Sequence, residues 1–221
     1  MVDGADTQLR LRQLLDYPLE GMSTEIKDWL DLGEGTVRAN LAKELIALAN
    51  NGGGYLLFGF SDLDTGWEPS GPCQFNIARY SQDAINDILK RHAEPPFECF
   101  AHHVASSGGN DHVVVEVPGG HTVPIRSAHA PDGSSLRDHT YYVRRPGPES
   151  APPQNGREWG ELIKRCLDND HDRQLASFRR ILDVMRREPG FLAELAGMSG
   201  AALAEWQQES RRRASRPEDS I

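Results

Sequence analysis

Cysteine is scarce in this chain: three in 221 residues, Cys73, Cys99 and Cys166, far apart and with no C-x-x-C. An odd, scattered set excludes a disulfide framework and offers no structural zinc pattern. Cys99 with His102 and His103 comes nearest to a ligand cluster, but "FECFAHHV" reads as a strand, so no zinc is expected. Long apolar runs are missing too. Nothing approaches the roughly 18 consecutive residues that a membrane span needs. The start, "MVDGADTQLRLRQLL", has acids where a signal peptide carries lysines. A cytoplasmic protein with no membrane partner is expected. Positive charge is also short, 24 Lys and Arg against 33 Asp and Glu, for a net charge of -9. That argues against coating nucleic acid through a general positive field, while leaving room for a local basic groove.

What is present is ordinary for a folded domain: 38% hydrophobic and 26% charged residues, although the mean hydropathy of -0.56 leans polar. Residues 6–16 have leucines at partly helical spacing, with Asp6 or Thr7 available as a cap. "STEIKDWL" reads as a strand over 24–30. From Thr36 to Asn50 the apolar positions give a wide helical face, and "GYLLFGF" (54–60) is apolar on both alternations, as a strand buried on both faces requires. "SDLDTGWEPSGP" has loop composition. A helix fits 77–92, and strands fit 97–104, 112–117, 122–126 and 139–145, separated by turn-rich breaks that suit antiparallel pairing. Helices follow at 157–168, 172–187 and 199–213, with a break at "DNDHD" and a charged end expected to fray. The expected class is α+β: a mixed, largely antiparallel sheet flanked by helices over 1–168, then a helical extension over 169–221.

The cluster Gly52–Gly53–Gly54 raises the question of phosphate binding. A Walker loop needs a lysine and a hydroxyl after its glycines, and a strand before them. Here no lysine follows and the order is helix then strand, so the negative end of the helix dipole faces the glycines. They are expected to end the helix and turn the chain, and no nucleotide cofactor is expected.

The acids carry more information. In "EGMSTEIK", alternation along an extended 24–30 puts Glu25 and Lys27 on one face and turns Ile26 into the core. Glu20 lies beyond flexible Gly21, within reach of Glu25, and the apolar strand ends in Asp62 and Asp64. Two or three carboxylates together with a substrate phosphate is how magnesium is usually held. Arg144, Arg145 and Lys27 are the phosphate-contact candidates. Trp29, Trp67 and Tyr142 have the rings to stack on bases but read as packing residues.

"EGMSTEIKDWL" and "LAKELIALANNGGGYLLFGFSD" together closely resemble the Schlafen AlbA-like domain family. The features are E-x4-E-x-K, a helix closing in A-x-A-N-x-x-GG, and the strand that follows; "HVVVEVPGGHTVPI" and "HTYYVRRPGPES" fit the family's later segments. The resemblance covers roughly residues 15–168. It implies an acidic triad of Glu20, Glu25 and Asp62, with Asp64 as the alternate third acid, which would hold Mg²⁺ or Mn²⁺ with Lys27 in support. The implied activity is endoribonuclease action on structured RNA such as transfer RNA. The alternative is a non-catalytic module that grips DNA or RNA, and a third reading is a scaffold whose C-terminal helices recruit a protein. RNA is expected over DNA. A homodimer is expected because ribonuclease relatives pair two lobes and this chain has one. On this reading Glu25→Gln should spare the fold.

Overall fold

The structure, a computed structural model, describes residues 4–64 and 66–187, together with positions 205 and 208. The helix expected at 199–213 lies outside the described residues. The chain divides into two units, residues 1–170 and 171–221, and the fold below is that of the first. Its order is α1 (Gly4–Asp16), β1 (Thr24–Lys27), α2 (Gly35–Asn50), β2 (Gly54–Phe58), β3 (Phe60–Leu63), β4 (Gly66–Pro69), a 3-10 turn (Ile77–Tyr80), α3 (Gln82–His92), β5 (Ala93–Glu94), β6 (Phe100–Ala105), β7 (Asp111–Val117), β8 (Arg126–Ser127), β9 (Val143–Arg145), β10 (Glu149–Ala151) and α4 (Gly156–Arg187), which runs on into the second unit.

The main sheet has the order β1-β2-β7-β6. β1 runs parallel to β2, while β2 with β7 and β7 with β6 are antiparallel. Among the described residues three two-stranded pairs complete the sheet structure: β3 with β4, β5 with β8, and β9 with β10. This is the mixed, largely antiparallel α+β architecture that the sequence leads one to expect.

Alternation explains why the central strands are apolar throughout. Leu56 and Phe58 of β2, with Val113, Val115 and Val117 of β7, face a core built with Leu45 and Leu48 of α2 and Ile85 and Leu89 of α3. Leu57 and Val114 face the opposite way, into a second cluster with Ile26 of β1 and Leu11 and Leu15 of α1. Each such side chain is fully or nearly fully buried, worth about 1.5–3 kcal/mol apiece before entropy is counted. The sheet therefore has helices on both faces, and Glu25 and Lys27, opposite in phase to Ile26, face the α2 side.

The glycine cluster serves the main chain. α2 stops where Gly52 takes φ 102° and the Gly53 N–H bonds to Leu48 O at 2.9 Å, a Schellman-type closure. A Cβ on Gly53 would sit 2.6 Å from both Val117 O and Gly119 N, so only glycine lets the two backbones cross there. Asn50 holds the same corner: its Nδ2 donates to Ile125 O at 2.7 Å and Tyr142 O at 2.8 Å, and its Oδ1 accepts from Ile125 N at 2.8 Å.

Three expectations need correction. Residues 60–69 form the β3–β4 hairpin rather than a loop. Gly66, at φ 116°, opens β4 opposite Leu63, and Trp67 packs half-buried against the second cluster. The "DNDHD" stretch does not break the helix, and α4 is continuous. Per-residue propensity differences are at most about 0.7 kcal/mol, and the Lys164–Asp168 pair at 2.5 Å and the Asn169–His121 O bond at 2.9 Å anchor that stretch. The strand expected at 122–126 shrinks to β8, while β10 forms unannounced in a proline-rich segment.

Candidate functional site

β1 presents Glu25 and Lys27 to α2, as alternation requires. Glu25 is 3% exposed, and both of its oxygens are engaged. Oε1 pairs with Lys27 Nζ at 2.5 Å, and Oε2 accepts from Arg144 Nη1. Arg144 is delivered by β9 and is shielded from solvent. It also donates to Ser150 Oγ at 3.1 Å, Gly21 O at 2.8 Å and Thr24 O at 3.4 Å. α2 completes the cluster with Glu44, 3.7 Å from Arg144, and Lys43, 3.2 Å from Glu44. Glu20 sits half-buried beside it. Burial first, then the charge of Glu25, raises its pKa, with Lys27 and Arg144 opposing.

Glu20, Glu25 and Glu44 thus meet Lys27, Lys43 and Arg144, three carboxylates against three cations. Burial pulls the pKa of Lys27 down, but the hydrogen bond and charge of Glu25, with Glu44 and Glu20, outweigh it and leave the ammonium above its usual value. Lys27 is therefore charged at neutral pH. An ammonium has three donors, so the bond to Glu25 leaves others free. Lys27 and Lys43 also line one cavity of about 290 Å³, with Leu30, Val37, Asn40 and Ser135 among its walls.

Asp62 and Asp64 are elsewhere. Both are exposed, and Asp62 is paired in register with Trp67 on the β3–β4 hairpin. Among the described residues no three His, Cys, Asp or Glu side chains are grouped as a metal ion would require. Protein cations occupy both oxygens of Glu25, so a magnesium or manganese ion held by Glu20, Glu25 and Asp62 would have to displace Lys27 or Arg144 and draw in the hairpin that carries Asp62. Arg144 and Arg145 also need correction as phosphate contacts. Arg144 is consumed by Glu25, and Arg145 donates to Pro152 O at 2.5 Å and Glu158 at 3.0 Å. Trp29 and Tyr142 are buried in the core.

Sequence reasoning missed Lys43 and Glu44. Their signal was a charged pair inside the apolar run Leu41–Ala49, where both flanks of the helix are buried. A polar pair there has to face something polar.

A mixed sheet between helices, with a buried glutamate paired to a half-exposed lysine on its first strand, makes this an α+β domain. The chain belongs to the Schlafen AlbA_2 family: the family model described as "Schlafen, AlbA_2" matches residues 20–151, more than half of the chain. Membership makes nucleic acid the expected class of partner. Among solved structures the chain is similar to the DIP2311 protein from Corynebacterium diphtheriae, at 20% identity and TM-score 0.44, over 72% of this chain and 32% of that one. It is also similar to the N-terminal domain of a protein from Nitrosomonas europaea that is named "Putative ATP-dependent DNA Helicase RecG-related Protein", at 24% identity and TM-score 0.37, over 58% of this chain and 86% of that one. The chain spans about a third of the length of the first of these. No curated protein matches. Among the described residues no helix is long and apolar enough to cross a membrane.

Proposed function

We propose that this domain binds nucleic acid through Lys27 and Lys43, with Glu25 and Glu44 holding the lysines in position by pairing with them. The observation that carries the reading is that two ammonium groups, from β1 and α2, line one cavity, with Glu44 in the same lining and the buried Glu25 bonded to Lys27. A lysine ammonium is a compact point charge, suited to a phosphate diester and indifferent to base sequence. With a net charge of -9, binding then rests on this local surface, and it weakens steeply with salt.

Fluorescence anisotropy with one structured RNA, its single-stranded counterpart and the matching DNA tests the idea across a salt series. Lys27→Ala with Lys43→Ala should weaken binding about tenfold or more and flatten the slope of log affinity against log salt by about two. Unchanged affinity and slope in a double variant that still melts cooperatively would overturn the reading. The RNA and DNA arms decide the expected preference for RNA, and light scattering on the same samples decides the expected homodimer.

A second reading is endoribonuclease action with Mg²⁺ or Mn²⁺ through Glu20, Glu25 and Asp62, assisted by Lys27. What favours it is Glu20 beside Glu25, two carboxylates whose repulsion contributes to the raised pKa of Glu20. Incubating the same RNA with each metal tests it. Cleavage that is lost in Glu20→Gln and Asp62→Asn would establish this reading. An intact RNA that is nonetheless bound would leave the binding module.

A further inference from the structure

A second cavity, of about 300 Å³, opens between the start of α2 and α3. Three arginines from three elements line it: Arg38 of α2, Arg79 of the 3-10 turn and Arg91 in the last turn of α3. Asp87 is the one acid in its lining, and Lys90 engages that carboxylate at 3.2 Å. The pocket is therefore strongly positive in a chain whose net charge is negative.

Two of the guanidiniums are held in advance. Arg38 Nη1 donates to Gly33 O at 2.7 Å and Leu32 O at 3.0 Å, and Arg79 Nη1 reaches the same Leu32 carbonyl at 3.4 Å. Each guanidinium has five N–H donors, so most stay available after these contacts. The Arg91 side chain is exposed and makes no hydrogen bond or ion pair among the described residues. Like charges gathered in a concavity repel one another, and an anion relieves that repulsion while accepting forked hydrogen bonds. The cavity is larger than a bare phosphate, and Leu32, Ala84 and Ile88 give it an apolar wall against which a sugar or base can rest.

We propose that this pocket binds a phosphomonoester, carried either by a free nucleotide or by the phosphorylated end of a nucleic-acid strand. A terminal phosphate carries more charge than a diester in mid-strand, and a concave pocket admits an end more readily than a continuous backbone. The choice of nucleotide among phosphomonoesters rests on the nucleic-acid reading above. The pocket itself does not use Lys27 or Lys43.

The test titrates the full chain with adenosine monophosphate against adenosine, and with a short oligonucleotide bearing a terminal phosphate against the same strand ending in a hydroxyl. At least one phosphorylated ligand should bind about tenfold more tightly than its counterpart. Arg79→Ala and Arg91→Ala should each remove most of that preference. Both side chains are exposed, so the fold should hold, with circular dichroism as the check. Arg38→Ala is the weaker choice because Arg38 braces the Leu32–Gly33 loop. Tight binding by the nucleotide assigns the site to free nucleotides, and tight binding by the phosphorylated strand alone assigns it to strand ends. Equal binding of both pairs, or a preference that survives both substitutions, overturns the inference even where oligonucleotides still bind through Lys27 and Lys43. Preference for the monophosphate with no oligonucleotide binding would uphold the pocket and overturn the lysine surface instead.

Discussion

Glu25 on β1 and Asp62 on β3 are both acids on strands, and family resemblance pairs them in one triad. Their surroundings are opposite. Glu25 is 3% exposed and has a cation on each oxygen. Asp62 stands in solvent on a two-stranded hairpin. In a covered site a carboxylate survives only if it is paired, because an unpaired buried charge costs several kcal/mol. At an exposed site water does that work at no cost to the fold. The same side-chain chemistry is thus part of the structure at one position and optional at the other.

Removing Arg144 should break this contrast most violently. Arg144→Ala takes away the guanidinium that holds Glu25, Ser150, Gly21 O and Thr24 O, and leaves Glu25 to Lys27 alone. Loss of one partner of a buried pair is expected to cost about 3–5 kcal/mol, read as a drop in the urea midpoint. Arg144→Lys should recover only part, since one ammonium cannot reproduce the fork. A loss below about 1 kcal/mol for Arg144→Ala, no more than a surface ion pair is worth, would show that the cluster is not structural.

The direct comparison comes next. Glu25→Gln keeps volume but leaves Arg144 no carboxylate nearer than the Glu44 oxygen at 3.7 Å, so about 1.5–3 kcal/mol should be lost, the worth of hydrogen bonds to a charged group. This reverses the expectation from sequence that the substitution would spare the fold. Asp62→Asn, exposed, should change stability by less than about 0.5 kcal/mol. Equal effects in parallel urea titrations would erase the distinction drawn between the two acids.

How far the sequence could be read follows the same physics. Local periodicity is encoded by neighbours, and so the helix at 36–50 and the shared face of Glu25 and Lys27 were legible. So were the 82–92 part of the helix expected over 77–92 and the 54–58 part of the two-faced strand expected over 54–60. The breaks at Ser81 and Gly59 were not. What covers that face is not local. Arg144 lies 119 residues beyond Glu25, and nothing in "YYVRRPG" says which arginine turns inward. Alternation gives the phase of a strand, and whether either phase meets solvent depends on chain that arrives from elsewhere. Asn50 makes the same point, because a helix-stop signal in sequence proves to be a three-bond clasp on the segments at 125 and 142.

Glu20 offers the smallest effect and the one that discriminates best between the two readings of the acids. Its pKa is raised above the ordinary 4.5 by burial and then by Glu25. A carboxyl whose folded pKa exceeds its unfolded one contributes stability that is fully present below the unfolded value and is lost as pH rises through the folded value. Wild type should therefore lose ground to Glu20→Gln as pH climbs from about 4 to 7, through the ordinary carboxyl range. The difference should be roughly a few tenths of a kcal/mol, because Glu20 is half-buried and water screens it. Thermal melts of both proteins at the two pH values read this directly, and a difference of constant size would remove Glu25 as a source of strain on Glu20. Repeating the melts at neutral pH with magnesium adds a second readout. A cation seated between the two carboxylates would raise the melting temperature of wild type and not of Glu20→Gln. Identical responses would leave both carboxylates to the lysines and Arg144, where the geometry already has Glu25.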